Sequence, residues 1–197
     1  MTSFRNTGQP DWGWWGRLWP TPGECLRSLG VSSGDTVIDL CCGDGYFTFL
    51  AARTVEPAKV YAVDIDGCLL DRLDRIATEQ GIENIETTEC DARTVGRHIE
   101  GKADAVLIAN TLHGVEDPVR FVGQMSGLLN SGGHLIVINW RNLPMKSTSV
   151  EGEPRGPPTE LRLSMDETES IVAEKDGFDL KERVDLPPYH YGLVFER

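Results

Sequence analysis

Short apolar runs rich in β-branched residues alternate along the chain with stretches of helical spacing, and that order predicts a parallel sheet with crossover helices. Thr36-Val-Ile-Asp-Leu40 is the first such run; a turn with Gly43 and Gly45 follows it, and Tyr46 to Ala52 reads as a helix. Glu56-Pro57 breaks that helix, and Lys59 to Asp64 predicts a second buried strand. Behind Asp66, a candidate N-cap, Leu69, Leu70, Leu73 and Ile76 recur at helical spacing until Gln80-Gly81. Ile82 to Glu89 alternates as a third strand, and Asp91 would cap a helix from Ala92 to His98. Ala103 to Ala109 is nearly all apolar, as expected of a parallel strand covered on both faces. Pro118 opens an amphipathic helix through Val119, Phe121, Val122, Met125, Leu128 and Leu129; Asn130-Ser-Gly-Gly133 ends it, and His134 to Trp140 is a fifth strand. A helix from Asp166 to Gly177 and a closing strand pair, Phe178 to Val184 and Pro187 to Glu196, complete the pattern.

Two segments stand outside this alternation. In residues 1–35 an aromatic arm carries Trp12, Trp14, Trp15 and Trp19 among Gly8, Pro10, Gly13, Gly16, Pro20 and Pro22, and a short helix, Glu24 to Leu29, ends at Gly30. So many indoles in a free tail would expose large apolar rings, so the arm is expected to lie over the core of residues 36–197. Residues 141–160 are rich in Pro, Gly and charge. A loop that long inside one domain is functional or disordered, and because it leaves the active end of the fifth strand it is read as a cover over that end.

Composition narrows the partners. A chain of 197 residues with 40% hydrophobic content suits one domain. The formal charge of −12 argues against a surface that tracks phosphates, so nucleic acid is an unfavoured substrate. Without an apolar run of roughly 20 residues or a signal-like start, no membrane partner is expected and the protein is read as cytoplasmic. Five cysteines, Cys25, Cys41, Cys42, Cys68 and Cys90, form no disulfide framework and are read as reduced.

The chemistry concentrates at strand ends. In an open α/β sheet ligands sit beyond the carboxyl ends of the strands, where the glycine turn admits a ligand to bare backbone. Asp39, two residues before that turn, would repel a pyrophosphate but suit a cation. Thr48 stands where a dinucleotide fingerprint would carry a small residue. Asp64 lies about 20 residues beyond the turn, where a carboxylate can receive both hydroxyls of a ribose, with Ile65 as an apolar surface for adenine.

Val37-Ile-Asp-Leu-Cys-Cys-Gly-Asp-Gly45 resembles motif I of the class I S-adenosylmethionine-dependent methyltransferases. It departs at Cys41, where that family most often has its first glycine, although a Cys-Cys-Gly version is similar to the quinone-type enzymes. The resemblance extends to Leu-x-x-Gly-Gly-x-Leu before the fifth strand and covers about Thr36 to Trp140. It implies a doubly wound, mostly parallel seven-stranded α/β sheet, Rossmann-like, with helices on both faces and an antiparallel C-terminal strand. It also implies S-adenosyl-L-methionine as cofactor, bound by Asp39, Cys41, Gly43, Gly45, Asp64, Ile65, Asp91, Ala92 and Asn110. Asp91 would meet the adenine amine, and Asn110 the donor's amino-acid part. His113, after the fourth strand, is the candidate general base or substrate-orienting group, and Tyr46 a second catalytic candidate beside the turn.

The implied activity is methyl transfer to a small-molecule acceptor, with no metal and with a homodimer left open. An NAD-dependent oxidoreductase and a module that binds the donor without turnover are the alternatives. The adjacent Cys41 and Cys42 also raise a metalloid acceptor, weakened by their place in the cofactor loop. Tyr189, His190 and Tyr191 are further acceptor-pocket candidates, against ordinary strand packing.

Overall fold

Two short helices, α1 (Trp12–Leu18) and α2 (Pro22–Ser28), lead into a sheet whose strands and helices alternate. The computed structural model describes residue 4, residues 12–19 and residues 22–197. Gly8, Pro10 and Pro20 lie outside the described residues, as do the side chains of Trp12, Trp14 and Pro22. There follow β1 (Val37–Leu40), α3 (Tyr46–Val55), β2 (Val60–Asp64), α4 (Gly67–Gln80), β3 (Ile85–Glu89), β4 (Ala103–Ala109), α5 (Pro118–Met125) and β5 (Leu129–Trp140). A two-stranded ribbon, β6 (Ser149–Val150) and β7 (Glu153–Pro154), then precedes α6 (Met165–Ala173), β8 (Asp179–Leu186) and β9 (His190–Glu196).

The seven-stranded sheet has the order β3-β2-β1-β4-β5-β9-β8. β1 pairs in parallel with β2, Val37 opposite Val60, and with β4, Val37 opposite Ala105. β9 runs antiparallel to β5, which sets His190 opposite Trp140. Chain order reverses between β1 and β4, and that reversal opens a crevice at the carboxyl ends of both strands.

Local chemistry explains the elements. Central strands carry apolar residues on both faces: Val37, Ile38, Leu40, Val60, Val63, Val106, Leu107 and Ile108 are fully buried, each stabilising the fold by roughly 1.5–3 kcal/mol relative to exposure. One face packs on α5, α6 and a 3-10 turn at Ala92–Arg97, the other on α1, α2 and α3, with Leu73 and Ala77 of α4 meeting Phe49 and Ala62. The carboxylate of Asp66 accepts the Cys68 N–H at the start of α4, and Gly81, at φ +65°, closes its end. Ser164 and Glu167 cap α6 reciprocally.

Several boundaries differ from the sequence reading, among them the turn after β3, which is 3-10 rather than α-helical, and the end of α6, which comes at Ala173. The third strand begins at Ile85, because the Ile82 N–H is taken by the Ala77 carbonyl of α4 (2.9 Å) and the Asn84 amide by the carbonyls of Ala52 and Ala58. Helix α5 stops at Met125: Leu129 already pairs with Ala103 in the sheet, the chain loops out through Gly132, and pairing resumes with His134 opposite Ala105. The 141–160 segment is folded rather than structureless. Glu151 (φ +56°) and Gly152 (φ +83°) turn the β6–β7 ribbon, the two positive dihedrals that a tight hairpin demands. Among the described residues no helix is long and apolar enough to cross a membrane.

Candidate active site

A cavity of about 630 Å³ opens at the β1–β4 reversal. Its lining includes Asp39, Cys41, Gly43, Tyr46, Asp64, Ile65, Asp91, Ala92, Asn110 and His113, brought together from the ends of β1, β2, β3 and β4. Gly45 is the exception. It adopts φ +92° behind the turn, where an added Cβ would stand 2.8 Å from Leu73 Cδ1 and 2.9 Å from Phe49 Cε2; its small size serves helix packing rather than approach of a ligand.

One half of the cavity is acidic. Asp39 is only 2% exposed, and the Thr48 hydroxyl donates to its Oδ2 at 2.7 Å. Burial pushes this carboxyl up to about 7; the Thr48 hydrogen bond opposes the rise and the Asp64 charge adds to it. Asp64 accepts the N–H of Gly43 (2.8 Å) on one oxygen and that of Asp66 (3.0 Å) on the other, so it shapes the glycine turn while keeping lone pairs for a ligand. Asp91 does cap the turn after β3, through the Arg93 N–H (2.9 Å), and the Arg93 side chain beside it holds its carboxyl below the usual range. Cys41 takes the left-handed backbone (φ +59°) that explains a glycine at this position in the family it resembles. Burial raises the thiols of both Cys41 and Cys42, which keeps them protonated and poor ligands for a metalloid.

Asn110 stands at the junction of the halves with φ +55°. Its N–H donates to the Ile138 carbonyl (2.8 Å), and its buried Oδ1 meets no hydrogen-bond partner among the described residues. An unsatisfied buried acceptor in a cavity wall is a group that a ligand's hydrogen-bond donor could satisfy.

The other half is aromatic and combines side chains of α3, of β5 and of the loop after β4 with the arm and the 141–160 segment. Trp15, Tyr46, Phe47 and Trp140 line it, with His113, Met145 and residues 154–157. The Tyr46 hydroxyl is 2.9 Å from the Trp19 carbonyl and 3.2 Å from that of Trp15, to which it donates, and burial pushes the phenol up to about 12. Trp15 stacks on Trp19 (5.5 Å between ring centroids) and on Tyr46 (5.7 Å). The rings of the arm that are described therefore lie on the core beside the cavity. An ion pair from Arg17 of α1 to Glu151 ties this arm to the β6–β7 ribbon.

The strap of residues 141–160 is fastened by a residue the sequence reading passed over. Arg162 is 4% exposed and meets no carboxylate among the described residues. Its Nε donates to the Pro157 carbonyl (2.9 Å), its Nη2 to Thr148 Oγ1 (2.8 Å) and to the Arg155 carbonyl (2.9 Å), and its guanidinium lies 5.3 Å from the Trp140 ring centroid. Gly156, at φ +90°, sits so close to the Trp140 indole that a Cβ there would come within 2.8 Å of it. Tyr189, His190 and Tyr191 are not among the lining residues. His190 is instead fully buried against Trp140 (4.2 Å) and Trp19 (4.3 Å), while the Tyr191 hydroxyl binds Thr168 and the carbonyls before α6.

An acidic half with an orphaned acceptor at its edge suits a ligand that carries a sulfonium, an amine and a ribose diol, and suits poorly the pyrophosphate of a dinucleotide. A methyltransferase-domain family matches residues 31–176. The ribosomal protein L11 methyltransferase of Bacillus subtilis (strain 168) is 32% identical over 164 residues, covering 79% of this chain and 49% of that protein. The demethylmenaquinone methyltransferase of Lactococcus lactis subsp. lactis is 27% identical over 116 residues, covering 58% of this chain and 46% of that one. The chain spans about half the length of these relatives. An S-adenosylmethionine-dependent methyltransferase structure from Aquifex aeolicus shares the fold, with a TM-score of 0.77 at 22% identity over 92% of this chain and 91% of that one. With its matched domain, sheet order and acidic half-cavity, this chain belongs to the class I S-adenosylmethionine-dependent methyltransferases.

Proposed function

We propose that the protein methylates a small-molecule acceptor held in the aromatic half of the cavity. The observation that carries this reading is that one space of about 630 Å³ joins the acidic half to an aromatic half bearing His113, within the range of pockets that enclose small ligands. When bound, S-adenosylmethionine supplies an electrophilic methyl group on a positively charged sulfur. Asp39 and the Asn110 Oδ1 receive the amino-acid end, Asp64 accepts from the ribose hydroxyls, and Ile65 offers an apolar surface to adenine, with Asp91 and Ala92 at its edge. Alignment and exclusion of water then supply most of the rate, which is why no triad is required. His113 accepts the proton of an attacking hydroxyl or amine at an imidazole nitrogen. Tyr46 keeps its own proton and acts through the arm, holding Trp15 over the acceptor side.

The second reading is a protein acceptor, favoured by the likeness to the L11 methyltransferase of Bacillus subtilis. Against it, the acceptor half is lined by the aromatic rings of Trp15, Tyr46, Phe47 and Trp140, surfaces on which a flat molecule can stack. The test has two arms after calorimetric titration with S-adenosylmethionine: release of S-adenosylhomocysteine with a panel of hydroxylated, amino and thiol small molecules, and with purified ribosomal protein. Turnover in the small-molecule arm is the expected result. Turnover with the protein alone overturns the small-molecule reading in favour of the second.

A further inference from the structure

We infer that the acceptor is a planar aromatic compound carrying an acidic group, with its ring in the aromatic half and its anion on Arg155; this rests on the small-molecule reading above. The cavity divides by charge, its other lining arginine, Arg93, being paired with Asp91 on the donor side. Its lining carboxylates, Asp39, Asp64, Asp66 and Asp91, all come from the ends of β2 and β3 and from β1 and its neighbourhood, on the donor side. The acceptor side has no lining carboxylate and one lining arginine, Arg155, an exposed residue at the cavity's edge. In a chain with a formal charge of −12, a wall free of carboxylates around a cation is a marked departure from the surroundings.

Arg155 is also prepared for a ligand. Its N–H donates to the Thr148 carbonyl (2.7 Å), and its own carbonyl accepts from Thr148 Oγ1 (2.7 Å) and from the buried Arg162 Nη2 (2.9 Å). Its backbone is therefore pinned three times, while its guanidinium makes no ion pair or hydrogen bond among the described residues. The strap's nearest carboxylates do not neutralise it: Glu151 is taken by Arg17, and neither Glu151 nor Glu153 lines the cavity. A fixed backbone lowers the ordering cost of presenting a side chain, and the guanidinium fork matches the two oxygens of a carboxylate. Gly156, pressed on the Trp140 indole, fixes the next residue of the strap against the aromatic wall, so the cation and the ring surface come as one unit.

The test is calorimetry on the full chain saturated with S-adenosylhomocysteine, using matched probes that differ by one carboxylate: 3,4-dihydroxybenzoate against catechol, and 1-hydroxy-2-naphthoate against 1-naphthol. The acidic member of each pair is expected to bind about tenfold tighter, as one charge-assisted contact gives. Arg155→Gln is expected to erase that difference and Arg155→Lys to retain part of it, each variant being titrated first with S-adenosylhomocysteine to establish that it folds. Equal binding within the pairs, no binding by the acidic members, or a preference that survives Arg155→Gln overturns the inference. Failure of S-adenosylhomocysteine itself to bind the unaltered protein strikes the methyltransferase reading beneath it instead, so the two failures are told apart.

Discussion

The two halves of the cavity are built by different means. The acidic half is made of strand ends and the turns that follow them, and its carboxylates are already engaged by the fold: Asp39 by Thr48, Asp64 by the Gly43 and Asp66 amides, Asp91 by Arg93. The aromatic half adds to Tyr46, Phe47 and Trp140 of the sheet's own units an arm that precedes the sheet and a strap that interrupts it, held by Tyr46, Arg162 and the Arg17–Glu151 pair. Under the proposed function, donor recognition rests on the sheet's strand ends, whereas acceptor recognition also draws on the arm and the strap. Perturbations of one half should leave the other nearly untouched.

The largest effect should come from His113→Ala, which is expected to lower kcat by about 100-fold or more while donor affinity stays within about twofold. Steady-state kinetics paired with calorimetry checks it; a loss of donor affinity of the same size would erase the division. Next is pH. Because the Asp39 carboxyl is pushed from 3.8 up to about 7, the folded protein holds a proton there that the unfolded chain releases. The ligand-free protein should accordingly lose stability as pH rises from about 4 to about 7, and donor affinity should fall by up to about tenfold per unit as pH drops below about 7. Thermal melts and titrations between pH 5 and 8 test both signs.

Asp64→Ala should weaken donor binding by about 1–3 kcal/mol, since the turn amides lose their acceptor along with the ribose. Calorimetry at constant pH measures it, and unchanged affinity would remove Asp64 from the donor half. Gly156→Ala should raise the acceptor KM by about tenfold with donor affinity unchanged, because the new methyl group meets the Trp140 indole and the backbone dihedral is strained. The smallest effect belongs to Thr48→Val. Loss of one hydrogen bond worth about 1 kcal/mol should move the midpoint of the donor-binding pH profile upward by about 0.7 unit, without altering acceptor KM.

The acidic half was legible in the sequence because its residues are local: Asp39, Gly43 and Asp64 follow directly from apolar runs whose period gives the strands away. Even there, Thr48 looked like a departure from a fingerprint, and only the fold shows its hydroxyl on Asp39. Gly45 looked like ligand clearance because a glycine's neighbours across helices are invisible in one dimension. The strap was visible as a loop and hidden as a structure. Glu151-Gly152 is a weak hairpin signal, and nothing in the spacing of Thr148, Arg155 and Arg162 announces that a buried cation binds two carbonyls and a hydroxyl between them. Long-range pairings such as His190 opposite Trp140 were equally out of reach, since they follow from register rather than composition.

Arg162 grips the strap through the main-chain oxygens of Pro157 and Arg155 and one threonine hydroxyl. A fastener that reads mainly peptide carbonyls is indifferent to which side chains ride on the segment it holds. Under the proposed function, exposed positions of the strap can therefore be rewritten, in the laboratory or by descent, to redirect the choice of acceptor while the residues assigned to the donor stay as they are.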